Sequence, residues 1–206
     1  MHANLKWIKG TWIGLLLVFF LGFSTWYGGN GKPISTEEGA ELLAQMRATY
    51  DTPDSSTRGF VENMEAMIPN DDGKEFYAVN LEQLKSGEAA QESDRAYGAI
   101  VMPLLFKRAS HPVFLSQRAG LMLGEYGDQV DRVAVVRYRS LRDLITMTLE
   151  PAMIEGEHYK FAALDHTEVF ITRPTITFMH VRFVLALILT LIGILGLKLM
   201  DRFIRA

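Results

Sequence analysis

Two long apolar segments, one near each end of the 206-residue chain, limit most strongly what it can fold into. An α-helix rises about 1.5 Å per residue, so roughly 20 apolar residues cover the hydrocarbon core of a bilayer. Residues 11–29 and 178–200 each contain an apolar run of nearly this length, and tryptophans lie near both ends of the first run. We therefore predict two transmembrane helices with the polar part of the chain between them.

The charges that flank these segments predict the topology. Short basic flanks mark the cytoplasmic side of a membrane. Both outer flanks are basic, through Lys6, Lys9, Lys198, Arg202 and Arg205. Residues 1–10 and 201–206 are therefore expected in the cytoplasm, and the central region is expected outside it. In a cell with two membranes, this describes an inner-membrane protein with a periplasmic domain.

The first segment has a second interpretation, because basic residues such as Lys6 and Lys9 also precede the apolar run of a cleaved signal peptide. Cleavage sites need small residues, whereas Trp26 and Tyr27 occupy the place where these would be required. An uncleaved anchor is the expectation, and the sequence leaves open whether cleavage occurs in some context.

Composition excludes several classes of function. The net charge is −3, and because both ends of the chain are basic, the central region is more acidic than this total. Nucleic acid is not expected as a partner, because it binds basic surfaces that release its counterions. The chain has no cysteine, which excludes disulfides, thiolate metal sites and a cysteine nucleophile.

Between the apolar segments, residue periodicity predicts four strands and their connecting helices. The predicted strands are 75–84, 111–123, 132–139 and 168–173. The main helices are predicted at 94–109 and 140–147, after a linker and helix in residues 30–59 and a short helix from Phe60. This β-α-β-β-α-β order predicts an α+β, ferredoxin-like domain at residues 60–174 with an antiparallel sheet.

Such a sheet carries helices on one face only, whereas its predicted strands have apolar residues on both sides. An apolar sheet face left in water is unfavourable and prone to association. Two copies that pack sheet to sheet would cover it. The sequence therefore predicts a homodimer.

Several short stretches of the central region are similar to a known bacterial family. They are Val79-Asn80-Leu81, Tyr97-Gly98, Pro103-Leu104-Leu105, Pro112-Val113-Phe114, Asp131-Arg132-Val133-Ala134-Val135-Val136-Arg137-Tyr138, Ser140-Leu141-Arg142 and Glu150-Pro151. Together they resemble uncharacterised dimeric α/β-barrel domains, whose fold is related to small monooxygenases, isomerases and stress-responsive barrel proteins. The resemblance covers about residues 60–174 and implies a fold and a dimer more strongly than a reaction. The two apolar helices are additions to the usual soluble form, and Val130 stands where such families often have tryptophan.

The resemblance implies a pocket between the sheet and the helices, where inward polar residues on strands would form a site. The candidates are Asn80, Arg118, Arg137 and Tyr138. A buried amide needs hydrogen-bond partners, and two arginines could hold a carboxylate bidentately. Alternatively, Asn80 closes a backbone turn and both arginines pair with acidic residues on the rim or the dimer seam. Convergence of Asn80, Arg118 and Arg137 on one cavity would favour an enzyme.

The histidines do not form a metal-binding pattern, since none has the spacing of a zinc motif. Distant members of the resembled fold bind haem, and His158 is the one candidate for an axial ligand here. His158 could also share a metal ion with Glu155, although a solvated helix face is the simpler interpretation. No cofactor, metal site or catalytic residue is therefore assigned.

Three functions are compatible with these features. The first is a membrane-anchored dimeric domain that acts in protein interaction or assembly. The second is a membrane-tethered small-molecule-binding protein, or a cofactor-independent enzyme of the monooxygenase or isomerase type. The third is an accessory subunit of a larger membrane complex, in which glycines permit close helix packing: Gly14, Gly22, Gly193 and Gly196. The sequence favours a protein that is not an enzyme and leaves catalytic activity open.

The two tethers of the central domain are predicted to differ. The fourth predicted strand runs almost directly into the second apolar segment, whereas a glycine-rich stretch and a helix separate the first segment from the sheet. The N-terminal tether is therefore expected to be the looser one.

Overall fold

The computed structural model describes residues 2–50, 59–177 and 180–205. The helices are α1 (His2–Gly28), α2 (Thr36–Tyr50), α3 (Phe60–Met67), α4 (Glu88–Lys107), α5 (Leu141–Thr148), α6 (Pro151–Ala163) and α7 (Val181–Arg205). The strands are β1 (Phe76–Leu84), β2 (His111–Gln117), β3 (Arg132–Tyr138) and β4 (Leu164–Thr172). The chain divides into two compact units, one that holds α1 and α7 and one that spans Gly28–Thr175.

Helices α1 and α7 are long and apolar enough to cross a membrane, over Leu5–Gly28 and Val181–Arg202. They run antiparallel and are joined by an ion pair, in which Lys9 Nζ lies 2.6 Å from Asp201 Oδ1. Because this pair joins the start of α1 to the end of α7, the two chain termini lie at the same end of the helix pair.

Two of the four glycines expected to allow close helix packing face the neighbouring helix. A Cβ added at Gly196 would lie 2.5 Å from Trp12 Nε1, and one added at Gly193 would lie 3.4 Å from Leu16 Cδ1. Position 196 therefore has no room for a larger side chain unless the indole moves. The other two glycines meet no further atom within 4 Å in the described structure: Gly14 and Gly22.

The second unit has a four-stranded sheet in the order β2-β3-β1-β4. Every neighbouring pair of strands is antiparallel, as the β-α-β-β-α-β order requires. Helices follow β1 and β3 in the chain and pack on one face of the sheet. The prediction of an α+β, ferredoxin-like domain is confirmed.

Three boundaries differ clearly from the prediction: β2 ends earlier, and α4 and β4 begin earlier. Strand β2 ends at Gln117 and not at Leu123, because the chain turns through a loop in which Gly124 has a positive φ of 85°. The helix predicted at 140–147 is confirmed as α5, and a further helix, α6, starts at Pro151. Proline suits a first helical position because its missing N–H would have no partner there.

The helix-facing side of the sheet carries the core. Met46 of α2 is fully buried, in one cluster with Val61 of α3, Phe76 of β1 and Ile145 of α5. Because α2 and α3 supply part of this cluster, the N-terminal helical segment packs within the same compact unit as the sheet.

The opposite side of the sheet carries a row of apolar side chains, one from each strand. The strand register places Phe114 beside Val135, Val135 beside Val79, and Val79 beside Phe170. Phe114 is 55% exposed and Phe170 is 46% exposed, so both edges of this row reach solvent. We call these four residues the apolar row.

The N-terminal tether is held firmly by the domain. Arg142 of α5 binds both carboxylate oxygens of Glu38, at 2.5 and 2.8 Å, and donates to the carbonyl oxygens of Lys32 (3.1 Å) and Pro33 (3.0 Å). Gly73 lies so close that an added Cβ would be 2.5 Å from the Lys32 carbonyl carbon. The chain is therefore attached to the domain from Lys32 onward, and which of the two tethers is the looser stays a prediction.

Candidate functional site

Asn80 lies on the helix-facing side of the sheet, because it follows Phe76 by four positions on β1 and so points to the same face. Its Nδ2 donates to the Ala134 carbonyl oxygen at 3.0 Å and to the Ala78 carbonyl oxygen at 3.4 Å. The amide hydrogens of this partly buried side chain are therefore bound to neighbouring backbone. The side chain still lies where the resemblance implies a pocket.

Arg137 and Arg118 lie elsewhere. Arg137 points to the side of the sheet opposite Asn80, is 1% exposed, and donates to Glu75 Oε2 at 2.8 Å and to the Ala109 carbonyl oxygen at 2.7 Å. Arg118 follows the end of β2 and pairs with exposed Asp128 at 3.0 Å. Asn80, Arg118 and Arg137 are not brought together.

Tyr138 is buried on the helix-facing side, where its ring stacks on that of Phe76 with centroids 5.5 Å apart. Burial raises the pKa of its phenol. Its hydroxyl has no hydrogen-bond partner among the described residues. Tyr138 is therefore mainly a core residue, with its polar end directed between the sheet and the helices.

His158 is exposed on α6, and its Nδ1 lies 2.7 Å from the Glu155 carbonyl oxygen of the preceding turn. Its ring packs against that of Tyr159, with centroids 3.9 Å apart. Within the described ranges, no three histidine or acidic side chains stand close enough to hold a metal ion. The haem hypothesis for His158 has no further support from its surroundings.

A polar cluster that the sequence reasoning missed lies under α4 and α6. Its first half is an ion-pair network on the sheet. Arg132 donates to Glu82 Oε2 at 2.5 Å and to both carboxylate oxygens of Asp94 at 2.7 and 2.8 Å. The hydrogen bonds that Arg132 donates to Asp94 and Glu82 raise its pKa despite its partial burial. Because Glu82 is only 7% exposed, this network places a carboxylate almost inside the domain.

The second half of the cluster comes from the inward faces of the helices. Tyr97 of α4 and two residues of α6, Glu157 and Lys160, are half-buried and make no hydrogen bond to other described residues. Burial raises the pKa of Tyr97, and Tyr138 and Glu82 add to this shift. Burial also raises the pKa of Glu157 and lowers that of Lys160. These are the shifts expected where water is scarce.

We call these six residues the helix-side polar cluster: Glu82, Asp94, Tyr97, Arg132, Glu157 and Lys160. Half-buried polar groups without partners are unfavourable unless water or a ligand satisfies them. Together the cluster presents a phenol, an amine and a carboxyl group from the helices near Glu82 of the sheet. Such a set can bind a small molecule with oxygen-containing groups.

The spacing of polar and buried residues along α4 and α6 could have indicated this cluster from the sequence. Tyr97 follows Asp94 by three positions, and both share a stripe with buried Ala90. Lys160 follows Glu157 by three, on a stripe with buried Gly156. A polar residue on the buried stripe of a helix indicates a possible site as strongly as a polar residue inside a strand does.

Comparisons with known proteins give a fold relationship. No family model matches the chain, and no curated protein is similar to it. A protein of unknown function from Rhodopseudomonas palustris has a similar structure, with a TM-score of 0.51 and 20% identity over 56% of this chain and 94% of that one. The methylated form of that protein gives a TM-score of 0.52 and 19% identity, over 57% and 93% of the two chains. The likeness is one of fold.

A dimeric ferredoxin-like protein of unknown function from Jannaschia sp. matches more loosely. Its TM-score is 0.38 and its identity 12%, over 48% of this chain and 99% of that one. None of these three structures comes with an assigned reaction.

Proposed function

We propose that this protein is a membrane-anchored homodimer whose central domain acts in protein interaction or assembly outside the cytoplasm. The observation that carries this proposal is the apolar row, which crosses all four strands and lies exposed at both edges. Burial of apolar surface stabilises association by about 25 cal/mol per Å². We expect a second copy of the same face to cover this row, because a symmetric dimer places the same surface of both copies in contact.

The loop after β2 extends this surface. Leu121 is 41% exposed, Met122 100% and Leu123 93%. The loop is tied to the sheet on the same side as the apolar row, because Tyr126 hydrogen-bonds to Glu168 of β4. Apolar side chains held out in this way are typical of protein contact surfaces. The loop therefore supports a contact that reaches beyond the sheet.

The dimer is tested by replacing Phe114 with aspartate in the full chain purified in detergent. A charge placed in the apolar row occurs twice in the dimer, so we expect the dissociation constant of the dimer to rise by about 100-fold. Phe106→Asp is the matched control, since Phe106 is 53% exposed on α4 and away from this face. The mass of each variant is measured by analytical ultracentrifugation. A monomeric parent protein, or an unaffected Phe114→Asp dimer, would contradict the proposal.

The membrane topology rests on the two apolar helices, their basic outer flanks and the ion pair between Lys9 and Asp201. We propose that both termini are cytoplasmic, that the helices lie in the inner membrane and that the central domain is periplasmic. Two antiparallel helices that pair at their terminal ends fit this arrangement.

Single cysteines in this cysteine-free chain test the topology. Lys74 has a side chain that is 75% exposed, and Lys74→Cys should react with a membrane-impermeant maleimide added to spheroplasts. Asn4→Cys should react only after the membrane is lysed. Labelling in the reverse order would place the domain in the cytoplasm.

The helix-side polar cluster favours a second function, a membrane-tethered protein that binds or transforms a small molecule. Its support is that Tyr97, Glu157 and Lys160 are half-buried together without direct partners in the described structure. The accessory-subunit hypothesis remains a prediction, in which the open sides of Gly14 and Gly22 would receive a further helix.

A further inference from the structure

We infer that Lys160 is a carbonyl-reactive amine, which forms an imine with a small aldehyde or ketone in the helix-side polar cluster. The inference rests on the second proposed function and names the class of compound that the cluster would take.

Lys160 differs from the other lysines of the same unit. It is half-buried on the inward face of α6, whereas the remaining four are exposed on the surface: Lys32, Lys74, Lys85 and Lys107. Exposed Lys85 donates to the Phe161 carbonyl oxygen at 2.7 Å, and exposed Lys107 binds Glu150 at 3.0 Å. Lys160 makes no hydrogen bond to any described residue. Among the lysines of this unit, its amine is therefore the most sheltered from water, and it has no hydrogen-bond partner within residues 28–50 and 59–175.

The surroundings of Lys160 favour the neutral amine that a carbonyl reaction needs. Burial lowers the pKa of its ammonium group, while the nearby carboxylates Glu82 and Glu157 partly oppose this effect. The charge of Glu82 is already engaged by Arg132 at 2.5 Å. Burial raises the pKa of Glu157, which favours its neutral form. Because burial outweighs the opposing charges of these carboxylates, the Lys160 amine can lose its proton more easily than an exposed lysine.

The ionisable groups of the cluster around this amine come from the sheet, α4 and α6, with the phenols of Tyr138 and Tyr50 beside Tyr97. Glu82 and Arg132 project from the sheet, Asp94 and Tyr97 project from α4, and Glu157 lies one turn before Lys160 on α6. The Arg132 guanidinium is held between Asp94 and Glu82 and cannot pair with a ligand without breaking that network. Lys160, Glu157 and Tyr97 remain to contact the ligand.

The reaction balances without an oxidant or a reductant. The nitrogen lone pair of Lys160 forms a bond to the carbonyl carbon, and the carbonyl π electrons move to oxygen. One proton of the amine passes to that oxygen, with the Glu157 carboxyl group as the carrier, and gives a carbinolamine. The second proton of the nitrogen and the new hydroxyl group then leave as water, so that a C=N bond replaces the C=O bond. Glu157 ends with the proton it began with.

Reductive trapping on the full chain in detergent tests the inference. The protein is incubated at pH 7 with butanal and cyanoborohydride, and alkylation of each lysine is measured by peptide mass spectrometry. We expect Lys160 to react at least tenfold faster than Lys85 or Lys107, although it is less exposed. A rate at Lys160 that is no greater than that at Lys85 would overturn the inference.

Two variants identify the reacting atom. Lys160→Arg keeps a long basic side chain but has no imine-forming amine, so it should lose the fast trapping while exposed lysines react as before. Lys107→Arg is the matched control and should leave trapping at Lys160 unchanged. Glu157→Gln should slow trapping at Lys160 by several-fold, because it removes the proton carrier.

A second readout separates failure of the inference from failure of the proposed function. Butanal is added without reductant, and the tyrosine difference spectrum reports occupancy beside Tyr97. A saturable spectrum with fast trapping at Lys160 supports both the imine and the binding function. A saturable spectrum without fast trapping overturns the imine and leaves the binding function standing. No spectral change and no fast trapping overturns both.

Discussion

Replacing Arg132 with methionine is expected to lower the free energy of unfolding of the central domain by about 3–5 kcal/mol. Arg132 neutralises Glu82, whose side chain is only 9% exposed, and it also holds Asp94. Methionine fills similar volume but leaves the Glu82 carboxylate charged and nearly buried. The loss should appear in urea unfolding of the full chain in detergent, followed by far-UV circular dichroism.

Arg118→Met is the matched control for this experiment. Arg118 also binds a carboxylate, at 3.0 Å, but the side chains of Arg118 and Asp128 are 36% and 65% exposed. Solvent screens such a pair, so the same substitution should cost less than about 1 kcal/mol. Equal losses for both variants would show that Arg132 matters through its packing and not through the buried charge it compensates. A second change, Glu82→Leu, should recover part of the stability lost in Arg132→Met.

Replacing Gly196 with leucine is expected to separate α1 from α7. An added Cβ would lie 2.5 Å from Trp12 Nε1 and 2.9 Å from Cε2 of the same indole, and that rigid ring cannot bend away as a flexible chain would. Overpacking of this kind typically costs about 1–3 kcal/mol. That corresponds to a fall of roughly 5- to 150-fold in the equilibrium constant for helix pairing.

Disulfide cross-linking can measure this separation, because the natural chain has no cysteine. Leu16→Cys and Gly193→Cys form the reporter pair, since Leu16 Cδ1 lies 3.4 Å from the position of a Cβ at residue 193. Gly196→Leu should strongly reduce the oxidised yield. Gly22→Leu is the control and should not, because a Cβ there meets no other described atom within 4 Å. An undiminished yield in Gly196→Leu would mean that the helices pair through other contacts.

The order of strands and helices along the chain was predictable, because residue alternation and turn residues are local features of the sequence. The loop after β2 was misjudged for the same reason: Leu121, Met122 and Leu123 are apolar, as in a strand, yet they have no partner strand in the described structure. Strand length depends on the neighbour that a residue meets, which the local pattern does not contain.

The candidate site was harder to predict. Arg137 and Tyr138 are adjacent in β3, and adjacent strand residues point to opposite faces, so they could not both line one pocket. Glu82 and Arg132 become partners only through the register between β1 and β3. Lys160 becomes notable only once α6 is known to face the sheet. These are consequences of long-range packing, and a single sequence does not display them.

Both ends of the central domain leave from the same end of its sheet. Gly29 packs beside Arg139, which follows the end of β3, and Thr172 ends β4 beside Tyr77 at the start of β1. Under the proposed membrane anchoring, two attachments at one end would leave the domain less free rotation than a single linker. Two copies so anchored in one bilayer would lose much of the orientational entropy of association before they meet. In the proposed dimer, a sheet face of modest affinity would then suffice in the membrane at densities where the same domain, cut free in solution, would stay monomeric.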